Sequence, residues 1–188
     1  GTTFTNVVQQ GTSTSTAGSG AQSGSITAPV TRVTEVNGEI MTTITVDIQN
    51  LSASAGAVKT VIGNAEAADD GTAPAKLITW DTDSNGIMYK AEMICIEAPA
   101  GNGGGNALDI DLAVGSSAAN EQGATADGAI LVSPGGTWVI NTMSSSVAAT
   151  CPDTHALYLT NGNTVGATGD AQYTAGKFII NLYGHKDF

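Results

Sequence analysis

The segment 39–49 constrains the fold more than any other part of the chain. Its side chains alternate between aliphatic and polar types, with isoleucines and a valine in one of the two sets. A period of two places successive side chains on opposite faces, so the pattern predicts a β-strand with one buried face. The dipeptide Asn37-Gly38 comes directly before it and favours the positive φ angles of a two-residue turn. We therefore expect a hairpin formed by strands at 30–36 and 39–49.

Short apolar segments with strand-like composition recur along the rest of the chain, and glycine-rich or asparagine-rich turns separate them. We predict strands at 58–63, 76–80, 87–97, 107–114, 129–132, 137–143, 155–160 and 177–183. The best helical candidate, 116–126, is interrupted by Gly123 and is rich in poor helix formers. Many short strands joined by such turns indicate an all-β protein, an antiparallel β-sandwich or jelly roll.

The first 28 residues differ in composition from the remainder. Residues 9–28 are built almost entirely from Gln, Gly, Thr, Ser and Ala. Such a segment buries too little apolar surface to offset the entropy lost on ordering. We expect a flexible or docking N-terminal arm at 1–28 and a single β-sandwich domain at 29–188. The arm is either a device for reaching a neighbouring subunit or simply a disordered terminus, and the sequence leaves both open.

Charge excludes several classes of function. The chain carries 17 acidic and only six basic residues, a formal charge of −11, and its basic residues are scattered singly. Nucleic-acid binding needs clustered Lys and Arg, so it is disfavoured. An acidic surface also repels anionic lipids, and no apolar run approaches the roughly 20 residues of a membrane span. We expect neither nucleic acid nor membrane as a partner.

Enzymatic activity is also disfavoured by composition. Only 12% of the residues are charged, 5% are aromatic, and there are two histidines. Enzymes usually concentrate ionisable groups around a pocket, whereas here they are spread thinly and lie mostly in turns. We predict no catalytic residues and no cofactor. A polysaccharide lyase or hydrolase ranks last among the alternatives, because it would need two carboxylates or a His/Tyr pair converging in a cleft and the sequence offers no preferred set.

The sharpest motif match lies at 81–86. Asp81, Asp83 and Asn85, with Glu92 further on, satisfy the pattern of an EF-hand calcium loop. The flanking segments look like strands rather than helices, and an extended chain would place Glu92 roughly 20 Å from the turn. We therefore predict a hairpin turn here and keep Asp81, Asp83 and Asn85 as a weak candidate cation site.

Two further pairs carry weaker signals. Asp109 and Asp111 alternate with aliphatic residues and so share one face of a strand. Such a pair suits acid–base catalysis or metal binding, but it is more typical of the solvated face of a strand. Cys95 and Cys151 have no metal-site or redox spacing. We favour separate thiols, while a disulfide between them remains open.

The chain as a whole resembles a known class of structural proteins. An arm at 9–28 precedes one compact β body, the chain is acidic, poor in charged residues and rich in Gly, Ala, Thr and Ser, and 176–185 combines a strand with an aromatic tail. In these features it resembles tailed-bacteriophage virion proteins, particularly capsid decoration (cement) proteins. The resemblance implies a homotrimer with a jelly-roll fold on the capsid exterior. Its partners would be the major capsid protein and copies of itself.

The apolar residues near the termini are candidates for subunit contacts under this hypothesis. In the arm they are Phe4, Val7 and Val8, and in the C-terminal tail they are Tyr183 and Phe188. Multivalent attachment through several weak contacts would suit a protein that must hold neighbouring capsid subunits together.

The alternative from a different class is a β-sandwich module that binds glycans or a host surface, as a head fibre, tail component or secreted adhesin. Aromatic rings stack on sugars, and the candidate rings are Trp80, Tyr89, Trp138, Tyr158 and Tyr173. A glycan-binding module requires exposed rings, whereas the assembly hypothesis predicts that the tryptophans are buried.

Overall fold

A computed structural model describes residues 9–11, 29–53, 60–63, 75–101, 108–116, 129–147, 149–162 and 171–186. These ranges contain eleven strands and one short helix. The strands are β1 (Gln9–Gly11), β2 (Val30–Val36), β3 (Glu39–Asp47), β4 (Ser52–Ala53), β5 (Ile78–Thr79), β6 (Ile87–Gly101), β7 (Asp111–Gly115), β8 (Ile130–Val132), β9 (Met143–Ser146), β10 (Ala156–Thr160) and β11 (Ala171–His185). The helix is α1 (Thr82–Asn85). The protein is mostly β, with antiparallel pairing in both sheets, and the all-β prediction is confirmed.

The strands form two sheets. The larger has the order β1-β2-β3-β11-β6-β9, with β4 also paired to β11, and the smaller has the order β5-β10-β7-β8. The larger sheet is built around β6 and β11, which are each 15 residues long and pair along most of their length. One core cluster draws on both sheets, with Ile44, Met93 and Phe178 from the larger and Leu112 and Leu157 from the smaller.

The hairpin predicted at 30–49 is present as β2 and β3. Asn37 has φ 53° and Gly38 has φ 81°, the two positive angles that a two-residue primed turn requires. Alternate residues of β3 are buried, as the period of two predicts. The strand ends at Asp47 rather than at 49, because the Asp47 carboxylate accepts a hydrogen bond from the Gln49 N–H at 2.9 Å and turns the chain.

The strand predicted at 137–143 is wrong. Trp138 is anchored in the core, where its indole N–H donates to the Ile110 carbonyl at 2.7 Å. The residues after it form a turn in which Asn141 has φ 65°, and β9 begins only at Met143. The apolar run 138–140 favoured a strand, but only Trp138 points into the core, while Val139 and Ile140 are exposed.

The hairpin turn predicted at 81–86 is also wrong. Residues Thr82–Asn85 form α1, a single helical turn that connects β5 of the smaller sheet to β6 of the larger sheet. The turn-forming residues were recognised correctly, but they connect strands of two different sheets instead of two neighbouring strands of one sheet.

No helix in the described part of the chain is long and apolar enough to cross a membrane.

Only a small part of the expected N-terminal arm lies among the described residues. Gln9–Gly11 form β1, which pairs antiparallel with β2 at one edge of the larger sheet. The predicted interface residues Phe4, Val7, Val8 and Phe188 lie outside the described residues.

Candidate interaction surface

Two of the three weak cation candidates at 81–86, Asp81 and Asn85, use their side chains in hydrogen bonds that hold this connection together. Asp81 caps α1, and its carboxylate accepts from the Asp83 N–H at 3.0 Å and the Ser84 hydroxyl at 2.7 Å. The buried Asn85 accepts from the Asp81 N–H at 3.2 Å and donates to the Thr42 hydroxyl at 2.8 Å. Across the described ranges, no group of three or more His, Cys, Asp or Glu side chains is placed to hold a metal ion. The motif thus builds a capped turn that is tied to the larger sheet.

The solvated face predicted for Asp109 and Asp111 is wrong. Their exposed fractions are 9% and 1%. Every residue of β7 is buried, as is every residue of β10 beside it. Alternation of polar and apolar residues predicts a solvent face only where one side of the strand is open, and β7 has no open side.

The two cysteines are separate thiols. Cys95 and Cys151 are both buried and both free. Burial raises the pKa of the Cys151 thiol to about 12 and also raises the pKa of Cys95. Both side chains therefore act as small apolar core residues rather than as nucleophiles.

Most of the aromatic rings considered for glycan stacking belong to the core. Trp80, Trp138, Tyr158 and Tyr173 are at most 2% exposed. Of the candidate rings, only Tyr89 reaches the surface, where it is half-buried. A sugar platform built on the tryptophans is thus ruled out by their burial, which is the outcome the assembly hypothesis predicts.

Tyr183 lies in a small cluster on the outer face of the larger sheet, the face turned away from the core. The aromatic cluster comprises Tyr89, Tyr183 and His185, and the Tyr89 ring centroid lies 6.3 Å from that of Tyr183 and 6.1 Å from that of His185. The Lys90 ammonium stands 4.8 Å from the centre of the Tyr183 ring. The Tyr183 hydroxyl donates to a Glu92 carboxylate oxygen at 2.7 Å. Half-buried tyrosines that combine apolar area with a polar group are characteristic of binding hot spots.

A β-bulge creates this cluster. Tyr183 pairs with Lys90, but the next residue of β11, Gly184, pairs with Met88, so one residue of β6 is skipped. Tyr89 and Lys90 therefore both have side chains on the outer face, although they are neighbours in sequence. A strict period of two assigns them to opposite faces, which is why the sequence did not identify Tyr89 as a partner of Tyr183.

The hydrogen bonds and the ion pair in the cluster shift the pKa values of Glu92 and Tyr183. Lys90 forms an ion pair with Glu92 at 2.5 Å. Hydrogen bonds from Lys90 and then Tyr183 lower the pKa of the Glu92 carboxyl. Burial, together with the bond to Glu92, raises the pKa of Tyr183 to about 12. At neutral pH the surface thus presents an ionised carboxylate bonded to a protonated phenol.

This network predicts a pH dependence of stability. The lowered pKa of Glu92 means that its contribution is present above the ordinary glutamate range and is lost as pH falls through the folded-state value. At neutral pH we expect Glu92→Gln to unfold about 1 kcal/mol more easily than wild type. That difference should shrink towards zero on acidification to about pH 3. Urea unfolding of both proteins across this range measures it.

Glu35→Gln is the matched control for this experiment. Glu35 pairs with Lys186 at 2.7 Å on the exposed surface, with 32% of its side chain accessible. Exposed pairs contribute little, so this variant should stay close to wild type at every pH. If the Glu92→Gln difference is the same in acid as at neutral pH, the network does not stabilise the fold.

An apolar row crosses the outer face, separated from the aromatic cluster by one polar row, the one that contains Glu92. Direct Cα partners align Val30, Thr45, Ile179, Ile94 and Met143 across five strands. Val30 is 48% exposed and Met143 is 58% exposed, while the two isoleucines are half-buried. A contiguous row of this kind is typical of a surface that binds another protein.

Polar rows flank the apolar row on both sides. On one side Lys177 pairs with Glu97 at 3.1 Å and with Asp47 at 3.5 Å. On the other, Thr43 donates to Asn181 at 3.0 Å, and Glu92 lies next in the same row. An apolar centre with a polar rim is the usual composition of a protein–protein interface.

A second group of exposed aliphatic side chains lies at the β9 edge of the larger sheet. This apolar edge patch consists of Ile96, Val139, Ile140, Met143 and Val147, with exposed fractions of 37%, 57%, 52%, 58% and 80%. It is continuous with the apolar row through Met143. The patch was not predicted from the sequence, because Val139 and Ile140 were assigned to a strand at 137–143 and the turn that exposes both of them was not recognised.

Comparison of the chain with protein-family models, curated proteins and solved structures finds no match. Of the five predicted interface residues, Tyr183 is the one among the described residues, and it lies on the surface with the strongest interface character.

Proposed function

We propose that this protein is a non-enzymatic virion structural protein, a capsid decoration or cement protein. In this proposal it sits on the capsid exterior, contacts major capsid subunits and assembles as a homotrimer. The observation that carries the proposal is the outer face of the larger sheet, where an apolar row lies between two polar rows and the aromatic cluster lies beyond one of them. That face has the composition of an interface and not of a catalytic cleft.

The architecture we propose is a β-sandwich of the jelly-roll kind with an N-terminal arm at 1–28. The two antiparallel sheets and their shared core cluster support this architecture. A two-layer β body leaves a broad outer sheet face free for contacts while the other face forms the core.

The chemistry of the surface suits binding better than catalysis. The converging ionisable groups, Lys90, Glu92 and Tyr183, lie on a sheet face and are bonded to one another. Such a network orients side chains and excludes water at a contact, whereas a general acid or base needs a free proton-accepting or proton-donating atom towards a substrate.

Assembly on a capsid also fits the charge distribution. The formal charge of −11 keeps a protein soluble at high local concentration, while the apolar row itself carries no charge. Three copies of one modest contact surface, linked in a trimer, bind far more tightly than a single copy does.

Co-sedimentation with expanded capsids that lack the protein tests the proposal. We expect saturable binding, and Tyr183→Ala should weaken it about tenfold or more because the ring lies at the centre of the polar network. Val36→Ala, which changes an exposed aliphatic residue at the tip of the β2–β3 hairpin, should bind like wild type. Absence of saturable capsid binding by the wild-type trimer would overturn the proposal.

A glycan-binding module is the second candidate, and one observation favours it. Tyr89 and Tyr183 present half-buried rings next to the carboxylates of Glu39 and Glu92, a combination that also suits sugars. Screening against a glycan array separates the two candidates. Saturable binding to a sugar that Tyr89→Ala abolishes, without binding to capsids, would favour this alternative.

A further inference from the structure

We propose that the apolar edge patch of one subunit binds the segment Phe4–Val8 from the arm of a neighbouring copy. This inference rests on the proposed self-assembly and names the contact that holds it together. It assigns a partner to Ile96, Val139, Ile140 and Val147, which lie outside the apolar row, and to Met143, which the row and the patch share.

The edge patch is held in a fixed shape. The Asn141 N–H donates to the Cys95 carbonyl at 2.8 Å, and the Thr142 N–H donates to the Val139 carbonyl at 3.1 Å. These bonds fix a tight turn against β6 while Val139 and Ile140 point outward, 57% and 52% exposed. Turns usually carry Gly, Asn, Asp or Ser at such positions, so two aliphatic side chains there need a partner.

The strand next to this turn is open to pairing. β9 is the last strand of the larger sheet, and within the described residues nothing pairs with its outer side. Edge strands are normally protected by a charge, a proline or a bulge. The segment 139–147 contains no charged residue and no proline, although the chain as a whole has a charge of −11. An extended peptide can therefore add to β9 without placing its residues next to a charged side chain of that strand.

The arm has matching chemistry. No charged residue precedes Arg32 in the sequence. Among the first 25 residues, Phe4, Val7 and Val8 are the only large apolar side chains. An uncharged segment with a few apolar anchors is the ligand that an uncharged edge strand with exposed aliphatic side chains would select.

The positions of the two sheet edges make the contact intermolecular. β1 lies at one edge of the larger sheet and β9 at the other, five strand-to-strand steps away, or about 24 Å along the sheet. Phe4 is five residues from Gln9, so it extends at most about 18 Å from β1. A strand added to the outer side of β9 would lie six steps from β1, about 29 Å, so while β1 pairs with β2 the anchors cannot line up along β9 of their own sheet. They reach the patch of a neighbour whose β9 edge lies beside β1.

A contact between two different edges is heterologous, and repeated contacts of this kind close into a ring when the rotation allows. A three-fold ring in which each arm binds the next subunit would account for the proposed homotrimer. It also leaves the centre of the outer sheet face, with the aromatic cluster, available for the capsid.

The first test compares Ile140→Asp with Ile87→Asp by light scattering. Ile140 is 52% exposed and Ile87 is 41% exposed, so neither change should disturb the core, and Ile87 lies on β6 beyond the residues that pair with β9. We expect a trimer for wild type and for Ile87→Asp, and a monomer for Ile140→Asp. Deletion of residues 1–8 should also give a monomer. A trimer that survives Ile140→Asp would overturn the inference.

The second test locates the contact. A benzophenone side chain placed at Val8 is photo-activated in an assembled mixture of isotopically heavy and light chains, followed by peptide mass spectrometry. We expect cross-links from position 8 to the peptide containing 139–147, with heavy–light pairs present. Cross-links confined to one chain, or directed to another surface, would show that the patch is not the acceptor.

Failure of the inference and failure of the proposed function are distinguishable. A trimer with the expected cross-links that does not bind capsids overturns the decoration function and leaves the arm contact intact. A wild-type monomer that binds capsids overturns the arm contact and leaves the decoration function intact.

Discussion

Trp80→Ala should cost the fold about 3–5 kcal/mol, a large share of the stability of a domain of this size. The side chain is fully buried. Its indole N–H donates to the Gly86 carbonyl at 3.0 Å, and its backbone N–H donates to the His155 carbonyl at 2.7 Å. Truncation removes the ring from the core cluster and leaves the Gly86 carbonyl without its buried donor. Because Gly86 directly follows α1, the loss also loosens the connection between the two sheets.

Urea unfolding followed by circular dichroism measures this effect. Tyr89→Ala is the control, since it removes a half-buried surface ring and should cost about 1 kcal/mol. The comparison also separates the two candidate functions. If Trp80→Ala remained as stable as wild type and lost only sugar binding, the ring would be a recognition element and its placement in the core would be contradicted.

Local signals predicted the β2–β3 hairpin, because all the information lies within about twenty residues of sequence. A period of two and an Asn-Gly dipeptide define both strands and the turn. The central strands were found but were predicted too short, at 87–97 and 177–183. Each continues through residues that weaken a strand pattern, Pro99 in β6 and Gly176 in β11. Gly176 has φ 138° and lies at a register shift, so partners elsewhere in the sheet determine this extension.

The candidate site was predicted only in part, because contacts between distant parts of the chain also determine which of its residues meet. Tyr183 was identified by its apolar character near the C-terminus, but the residues around it come from β6, more than ninety positions earlier. The bulge that brings Tyr89 and Lys90 to one face depends on the β6–β11 register, which no local pattern encodes. The burial of Asp111 likewise depends on tertiary packing that leaves no residue of β7 exposed. Sequence patterns thus defined the strands, while non-local pairing decided which of their side chains meet.

Gly184→Ala should destabilise the protein by about 3 kcal/mol and should also disturb the aromatic cluster. Gly184 lies in β11 directly after Tyr183. A methyl group there would overlap the Asn85 carbonyl oxygen and would lie 3.2 Å from the Gly86 carbonyl carbon. Both contacts are with backbone, so no side-chain rotation relieves them. Asn85 in turn is bonded to the Thr42 hydroxyl at 2.8 Å, which keeps α1 from moving away.

Gly136→Ala is the control, because a methyl group there meets nothing within 4 Å. This variant should match wild type to within about 0.5 kcal/mol in urea unfolding. Equal losses for the two glycines would show that α1 is not packed against β11 as described. The effect of Gly184→Ala on capsid binding adds a second readout. The register shift at this glycine brings Tyr89 and Lys90 beside Tyr183. A methyl group there should therefore weaken capsid binding in buffer without urea, where the variant is still folded. Binding that stays at the wild-type level while stability falls would mean that the aromatic cluster does not form the contact, and that the capsid is bound by another part of the surface.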